Sequence, residues 1–139
     1  MALISRSAIE DAIIQFLSPI QAPHKYKVMP WPDGNVIWAQ MDRSLLVALS
    51  EEKWEPPLTF DGDQEGLLFV DLQLVSRNRR GDSGQLAVRD AIERRMQGKI
   101  PKVGSFYLAS CGFLGRDHSI WRFGMKYQLK VYRSEIGET

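Results

Sequence analysis

The stretch that decides the fold is WRFGMKYQLKVYR, residues 121–133. Its odd positions up to 131 are large and apolar, whereas its even positions up to 130 are Arg122, Gly124, Lys126, Gln128 and Lys130. Side chains alternate between the two faces of a strand, so this pattern predicts a strand with one buried and one polar face. The strand is about twice as long as the usual five or six residues, which makes continuation of the sheet across a subunit boundary plausible.

The polar face of this strand has two interpretations. Arg122, Lys126 and Lys130 can form a solvated face that keeps an exposed strand from pairing with other chains. Alternatively, they form a contact surface for another chain or for nucleic acid. Gly124, between them, is a candidate position for a bend or a bulge.

The segments before this strand predict the rest of the sheet. The stretch LLFVDLQLVSR, residues 67–77, alternates in the same way and reads as a second long strand. Ser83 is a good N-cap for a helix over residues 84–97, which Gly98 and Pro101 end. Residues 105–114 and 120–132 follow each other directly, and this favours an antiparallel hairpin.

The N-terminal third predicts one further helix and two strands. Ser7 can cap a helix that ends before Pro19, with Glu10 completing a capping box. Strands are expected at residues 35–41 and 45–49, followed by a break and a surface loop that ends near residue 66. The predicted fold class is therefore α+β, a mainly antiparallel sheet with two helices packed against it.

Length and composition indicate an ordinary globular protein. The 139 residues fit one domain, predicted at residues 1–133 with a flexible C-terminal tail at residues 134–139. The formal charge of +1 leaves only a local patch for any attraction to nucleic acid. The single Cys111 excludes an internal disulfide and a cysteine-based zinc site. No signal peptide or membrane span is evident, so a cytosolic location is expected.

Signals for catalysis are weak. Asp42, Glu51 and Lys53 have the residue types of a magnesium-dependent nuclease, which would need its carboxylates on adjacent strands. The adjacent residues Asp117, His118 and Ser119 cannot form a nucleophile–base–orienter geometry within one tight turn.

Charged loops offer candidate contacts instead. The densest basic cluster, Arg77, Arg79 and Arg80, would grip phosphates without reading sequence if it met DNA or RNA. An acidic loop carries Asp61, Asp63 and Glu65. Arg95 falls within the apolar arc of the second helix, from which it can extend outward or reach a neighbouring subunit.

The chain as a whole resembles the tail-terminator, or tail-completion, proteins of long-tailed bacteriophages and prophages, and within them a Mu-like prophage family. The similarity lies in four stretches in order. These are SAIEDAIIQFL, LLVALSEEKWEPP, LLFVDLQLVSRNRRGDSGQLAVRDAIERRMQGKIP and FLGRDHSIWRFGMKYQLKVY. Residues 22–42 match less well. None of the stretches is a catalytic signature.

This resemblance implies an α+β subunit of a ring, commonly a hexamer, which caps the head-proximal end of the tail tube. Such a ring contacts the tail tube protein and the head-tail connector, and DNA passes transiently through its lumen. The resemblance implies no enzymatic activity, cofactor, metal or membrane. It places the protein in the host cytoplasm during assembly and then in the virion tail.

One hypothesis about the subunit contact follows from the charges. The acidic loop at Asp61, Asp63 and Glu65 would meet the basic turn at Arg77, Arg79 and Arg80 of the next subunit. Besides the metal-dependent nuclease built on Asp42, Glu51 and Lys53, two alternatives to a terminator stay open. The first is a neck or head-tail connector component. The second is a nucleic-acid-binding protein that uses the basic turn together with Arg122, Lys126 and Lys130.

Overall fold

The structure, a computed structural model, describes residues 4–57, 62–81, 84–117 and 119–137. Five strands form one sheet, and two long helices lie among them in sequence. The elements are α1 (Arg6–Leu17), α2 (Gln21–His24), β1 (Lys27–Pro30), β2 (Ser44–Trp54), β3 (Glu65–Ser76), α3 (Gln85–Met96), β4 (Tyr107–Asp117) and β5 (Ile120–Tyr132). This architecture confirms the predicted α+β class.

The sheet has the strand order β1-β2-β3-β5-β4, and β1, which is parallel to β2, is its one departure from antiparallel pairing. In its centre, β3 pairs with β5 without interruption from Glu65–Tyr132 to Ser76–Trp121. The predicted hairpin is confirmed, because β4 and β5 pair antiparallel from Tyr107–Gln128 to Asp117–Ile120.

One face of the sheet carries the helices and the main core. The apolar residues of β3 that were predicted to point one way are fully buried there, together with alternate residues of β5. From the helices, Ile9, Ile13 and Leu17 of α1 and Val88 and Ile92 of α3 fill the same core. The apolar faces predicted from a period of two in the strands and of 3.6 in the helices therefore pack against each other in one core.

The start of α1 differs from the prediction. Ser5, rather than Ser7, is the N-cap, and its Oγ accepts a hydrogen bond of 3.1 Å from the Ala8 N–H. In α3, Gly84 occupies the N-cap position, and Ser83 lies outside the described residues.

The prediction of a strand at residues 35–41 is wrong. Residues 38–40 form a single 3₁₀ turn, and the segment folds over the sheet face opposite the helices, here called the open face. Trp38, with Met29 and Met41, covers a second small core. That core consists of Leu46, Val75 and Ile120. Packing of the half-buried Trp38 indole against residues of other strands outweighs the local β preference of this segment.

The boundaries of β2 were also wrong, and β1 was missed. β2 continues to Trp54 because residues 51–54 keep their pairing with β3 after a register shift between Leu49 and Glu51. β1 is only four residues long and ends in Pro30, so its sequence carries little strand signal.

Register shifts in β4 occur between Leu108 and Ser110 and between Phe113 and Gly115, so no bulge lies at Gly124. Gly124 instead makes room for Leu114, whose Cδ1 would lie 3.0 Å from a Cβ at position 124. After β5, residues 133–135 form a 3₁₀ turn, and Ile136 forms a bridge with Ile4. The mobility of residues 134–139 stays a prediction.

Candidate functional site

The outer edge of β4 is the most exposed strand edge in the described part of the chain. β4 is the last strand of the sheet and pairs only with β5 on its inner side. Its large apolar side chains are exposed on both faces: Tyr107 by 65%, Leu108 by 42%, Phe113 by 57% and Leu114 by 49%. The strand presents a row of backbone groups and apolar surface for another chain.

Edges of this kind are usually protected by charged residues, proline, β-bulges or short length. β4 has eleven residues, YLASCGFLGRD, with neither lysine nor proline, and its protective features are two register shifts and the charges at its end, Arg116 and Asp117. At the other edge of the sheet, β1 has four residues and ends in Pro30. The contrast marks β4 as the edge that can accept a further strand, by the pairing known as β-augmentation.

An arginine–aromatic cluster flanks the far end of β4 on the helix side of the sheet. It comprises Arg79, Arg89, Arg116, Phe113, Trp121 and Phe123. The Cζ atoms of Arg79 and Arg116 lie 5.0 and 5.1 Å from the Trp121 ring centroid, and Arg89 Cζ lies 4.6 Å from that of Phe123. The rings of Phe113 and Trp121 are 5.5 Å apart. Aromatic and arginine side chains are the residues that dominate protein interfaces.

The start of α3 fixes the position of this cluster. Gln85 is buried, and its Nε2 donates hydrogen bonds to the Trp121 carbonyl at 2.6 Å and the Leu74 carbonyl at 3.4 Å. One turn later, Arg89 pairs with Glu93 at 3.3 Å and reaches the Sγ of Cys111 at 3.2 Å. The helix thereby anchors β3 and β5 and holds a cation against β4. A recess of about 300 Å³ lies among these side chains.

The opposite edge of the sheet carries an acidic groove. β3 pairs with one side of β2 along residues 49–54, whereas β1 pairs only with Ser44–Val47, so no described strand pairs with the outer side of residues 49–54. The groove between that part of β2 and α1 has a volume of about 430 Å³. It is lined by Arg6, Ser7, Glu10, Leu49, Ser50, Glu51 and Glu52.

Two contacts shape the acidic groove. Glu10 Oε2 accepts a hydrogen bond of 2.9 Å from the Leu49 N–H, which satisfies one outward backbone donor of β2. Glu52 accepts hydrogen bonds from the Arg6 guanidinium, at 2.9 Å for Arg6 Nη2. That hydrogen bonding lowers the pKa of Glu52 and raises the pKa of Arg6. The pair fixes α1 beside β2 and keeps Glu52 ionised.

The structure separates the predicted basic residues into two groups. Arg77, Arg79 and Arg80 are exposed on the turn after β3, and only Arg79 enters the arginine–aromatic cluster. The Arg77 backbone N–H donates to Asp42 at 2.8 Å. These three arginines lie at the strand end opposite to Lys130. No single patch therefore unites the basic set of the nucleic-acid alternative.

The cations of β5 lie on the open face, and two of them have acidic partners. Lys126 is 3.5 Å from Glu51, and Lys130 pairs with Glu65. Arg122 is half-buried, with its Cζ 4.5 Å from the Trp38 ring centroid. The polar face of this strand is thus partly covered and partly neutralised.

The other predicted contact residues have partners in their own chain. Arg95 is exposed, and its Nε donates to the Phe16 carbonyl at 2.9 Å. Asp63 accepts a hydrogen bond of 3.1 Å from the Ser134 N–H, and the Ser134 hydroxyl lowers the pKa of this carboxyl. Asp61 lies outside the described residues. The role of all these residues between subunits stays a prediction.

The nuclease residues do not converge. Asp42 precedes β2, whereas Glu51 lies within β2, seven positions after Ser44 and therefore roughly 20 Å further along the strand. Among residues 4–57, 62–81, 84–117 and 119–137, no group of three or more His, Cys, Asp or Glu side chains could hold a metal ion. None of the helices in these ranges is long and apolar enough to cross a membrane.

Reasoning from the sequence missed the β4 edge and most of the arginine–aromatic cluster. Residues 107–114 are apolar at nearly every position and contain no charge. This signal fits a strand buried on both faces as well as an unprotected edge. The order of strands in the sheet decides between the two, and it arises from pairings between distant residues.

The fold has a known counterpart. No protein-family profile matches the chain, and no curated protein matches it significantly. Among solved structures, the chain is similar to one in the virion of a native gene transfer agent particle, with a TM-score of 0.60 and 12% sequence identity. The match covers 91% of this chain and 96% of the other. The two chains therefore share their fold over nearly their whole length.

Proposed function

We propose that this chain is a structural protein of a phage or phage-like virion. The shared fold with a virion chain over 91% and 96% of the two lengths carries this proposal. The long β4 edge with its exposed apolar side chains supports it, because a strand edge of this length and apolarity is a surface on which another chain can pair.

Within the virion, the proposed role is that of a tail terminator. Copies of the chain form a ring on the head-proximal end of the tail tube, stop its growth and join it to the head connector. The sequence resemblance to tail-terminator proteins supports this finer assignment. The two edges of the sheet differ in charge and shape, which also suits a ring. Contacts between different surfaces of neighbouring subunits form a closed ring when the rotations between subunits add up to a full turn.

The proposal assigns no reaction to the chain. The features described above are surfaces suited to contacts: an apolar strand edge, arginines stacked on aromatic rings and an acidic groove. The separation of Asp42 from Glu51 along β2 supports an assignment without a nuclease site built on these two residues.

Deletion of the gene from its phage or prophage tests the proposed role. Electron microscopy of the resulting particles should show heads without tails, and free tails of irregular and increased length. Expression of the chain from a plasmid should restore joined particles with uniform tails. Joined particles with tails of normal length in the deletion strain would contradict the proposal.

A further inference from the structure

We infer that a groove on the open face of the sheet binds an arginine side chain from a segment of a partner protein, with Asp71 and Gln73 as the hydrogen-bond acceptors. This groove, here called the open-face groove, has a volume of about 560 Å³. It crosses the middle of the sheet, and its lining includes Trp31 and Leu114. The inference goes beyond the proposed function, because it assigns a binding site to the single chain.

Strand register builds the floor of the open-face groove from two rows of residues. The first row takes one residue from each of four neighbouring strands, and these are Ala48, Asp71, Lys126 and Ser110. In the second row, Gln73 lies beside Gly124, which lies beside Gly112. Since the two glycines have no side chain, a hollow forms next to Gln73. A Cβ at position 112 would meet nothing within 4 Å, so the hollow is open there.

The two acceptors that line this hollow lack donors. Gln73 is only 9% exposed, and among the described residues its Oε1 has no hydrogen-bond partner. A buried acceptor of this kind is costly to leave unpaired. Asp71, two residues earlier on the same face of β3, is half-buried, and no described side chain forms an ion pair or hydrogen bond with its carboxylate. The groove therefore combines a negative charge with an unsatisfied amide oxygen.

Two cations close to these acceptors have other partners. Lys126 lies directly across from Asp71 in the sheet, but its Nζ is 3.5 Å from Glu51. Arg122 stacks on the Trp38 ring, with its Cζ 4.5 Å from the ring centroid. Neither cation serves the two acceptors, so a second molecule that fills the hollow can supply the missing donors and the missing positive charge.

The guanidinium group of arginine matches this set of acceptors. It carries five N–H donors in a planar fork, and it stays charged at every physiological pH. Asp71 and Gln73 are about 7 Å apart along the strand, and a fork of donors spans such a pair better than a single ammonium group does. Trp31, which is 36% exposed, adds an aromatic ring of the kind on which arginine stacks.

The apolar lining favours an arginine within a protein segment over a free guanidino compound. Leu114 is 49% exposed in the groove, and Trp31 is partly exposed as well. Apolar residues next to the arginine would cover both side chains, and burial of this surface would stabilise the complex. The exposed turn of this chain at residues 77–80 has Asn78 and Gly81 beside its arginines, so a second copy offers no such apolar neighbours there.

An NMR titration of the isotope-labelled chain tests the site. The probe is an acetylated and amidated peptide, Gly-Leu-Arg-Leu-Gly. The backbone amides of Asp71, Gln73 and Gly112 and the indole N–H of Trp31 should shift together and saturate. The same peptide with citrulline in place of arginine has nearly the same shape without the charge, and it should bind at least about tenfold more weakly.

Two variants of the chain test the acceptor and the hollow separately. Asp71→Asn keeps the size of the side chain and removes its charge, so the affinity should fall at least about tenfold. Gly112→Val places a side chain in the open space of the groove and should abolish binding. Asp90→Asn is the matched control, because it removes the same charge from an exposed position of α3, on the other side of the sheet. It should bind like the wild type.

Equal affinities for the arginine and citrulline peptides, or wild-type affinity in Asp71→Asn, would overturn the inference. Shifts confined to residues outside the groove, or no shifts with the peptide in large excess, would also overturn it. If N-acetylargininamide binds as tightly as the peptide, the site takes a free guanidino compound and the partner segment is excluded.

A second copy is the remaining alternative occupant. Shifts of the groove amides that depend on protein concentration, without any peptide, would place an arginine of a second copy in the groove and contradict the assignment to a partner protein. The titration uses the isolated chain, whereas the proposed function is tested by the tails of the deletion strain. The failure of one can therefore be told from the failure of the other.

Discussion

Trp54 at the end of β2 lies directly over Gly66 at the start of β3, its cross-strand partner. A Cβ at position 66 would lie 2.3 Å from Trp54 Cε3, so only glycine leaves room for the indole. The indole Nε1 donates to Glu52 Oε1 at 3.1 Å, and Glu52 in turn pairs with Arg6 of α1. This chain of contacts holds the acidic groove in shape.

Replacement of this glycine should therefore destabilise the fold. Gly66→Ala forces the indole or the strand to move, and overpacking of this kind costs about 1–3 kcal/mol. Urea unfolding measures the loss. Gly112→Ala in β4 is the matched control, because a Cβ there meets nothing within 4 Å. Equal stability of the two variants would contradict the close packing of Trp54 on Gly66.

The buried amide of Gln85 provides a second test. Gln85→Ala leaves the carbonyls of Leu74 and Trp121 without this donor, and unsatisfied buried groups cost roughly 1–3 kcal/mol. Thermal or urea unfolding should show that loss. Arg94→Ala, an exposed position on the same helix, should change stability by less than about 0.5 kcal/mol. A loss no larger for Gln85→Ala than for Arg94→Ala would exclude the anchoring role of Gln85.

A third prediction concerns alkaline pH. Burial raises the pKa of Tyr26 from 10.0 to about 12, so the folded state favours the neutral phenol. The stabilisation is complete below pH 10 and disappears as the pH rises towards 12, by up to about 2–3 kcal/mol. Tyr26→Phe should remove this part of the alkaline loss. Burial also raises the pKa of Tyr127 to about 12, so the variant should retain a smaller fall.

Unfolding free energies of wild type and Tyr26→Phe between pH 9 and pH 12 check this prediction. The difference between the two proteins should change with pH. A constant difference over that range would contradict the burial of an ionisable hydroxyl at Tyr26.

The elements with clear periodicity could be predicted from the sequence. Each of β3, β5, α1 and α3 buries one face. The apolar residues of that face recur at a regular spacing, so a short stretch of sequence is enough to reveal it. The pattern at residues 35–41 failed, because the half-buried Trp38 packs against the small core of Leu46, Val75 and Ile120, which belong to three different strands. Local β preference could not reveal that contact.

The candidate site was less predictable than the fold. The basic turn and the cations of β5 stand out as charges, but ion pairs with Glu51 and Glu65 occupy two of those cations. The β4 edge carries no charge between residues 107 and 115, and its exposure depends on strand order. Strand order arises from the pairing of β5 between β3 and β4, and short-range patterns do not encode it.

Hydrogen exchange of the β4 amides, before and after ring assembly, is the most direct test of the central claim. In the free chain, outward amides of Tyr107–Asp117 should exchange quickly, because no described strand pairs with that edge. In the assembled ring, these amides should become protected. A ring in which β4 exchanges as fast as in the free chain would contradict the account.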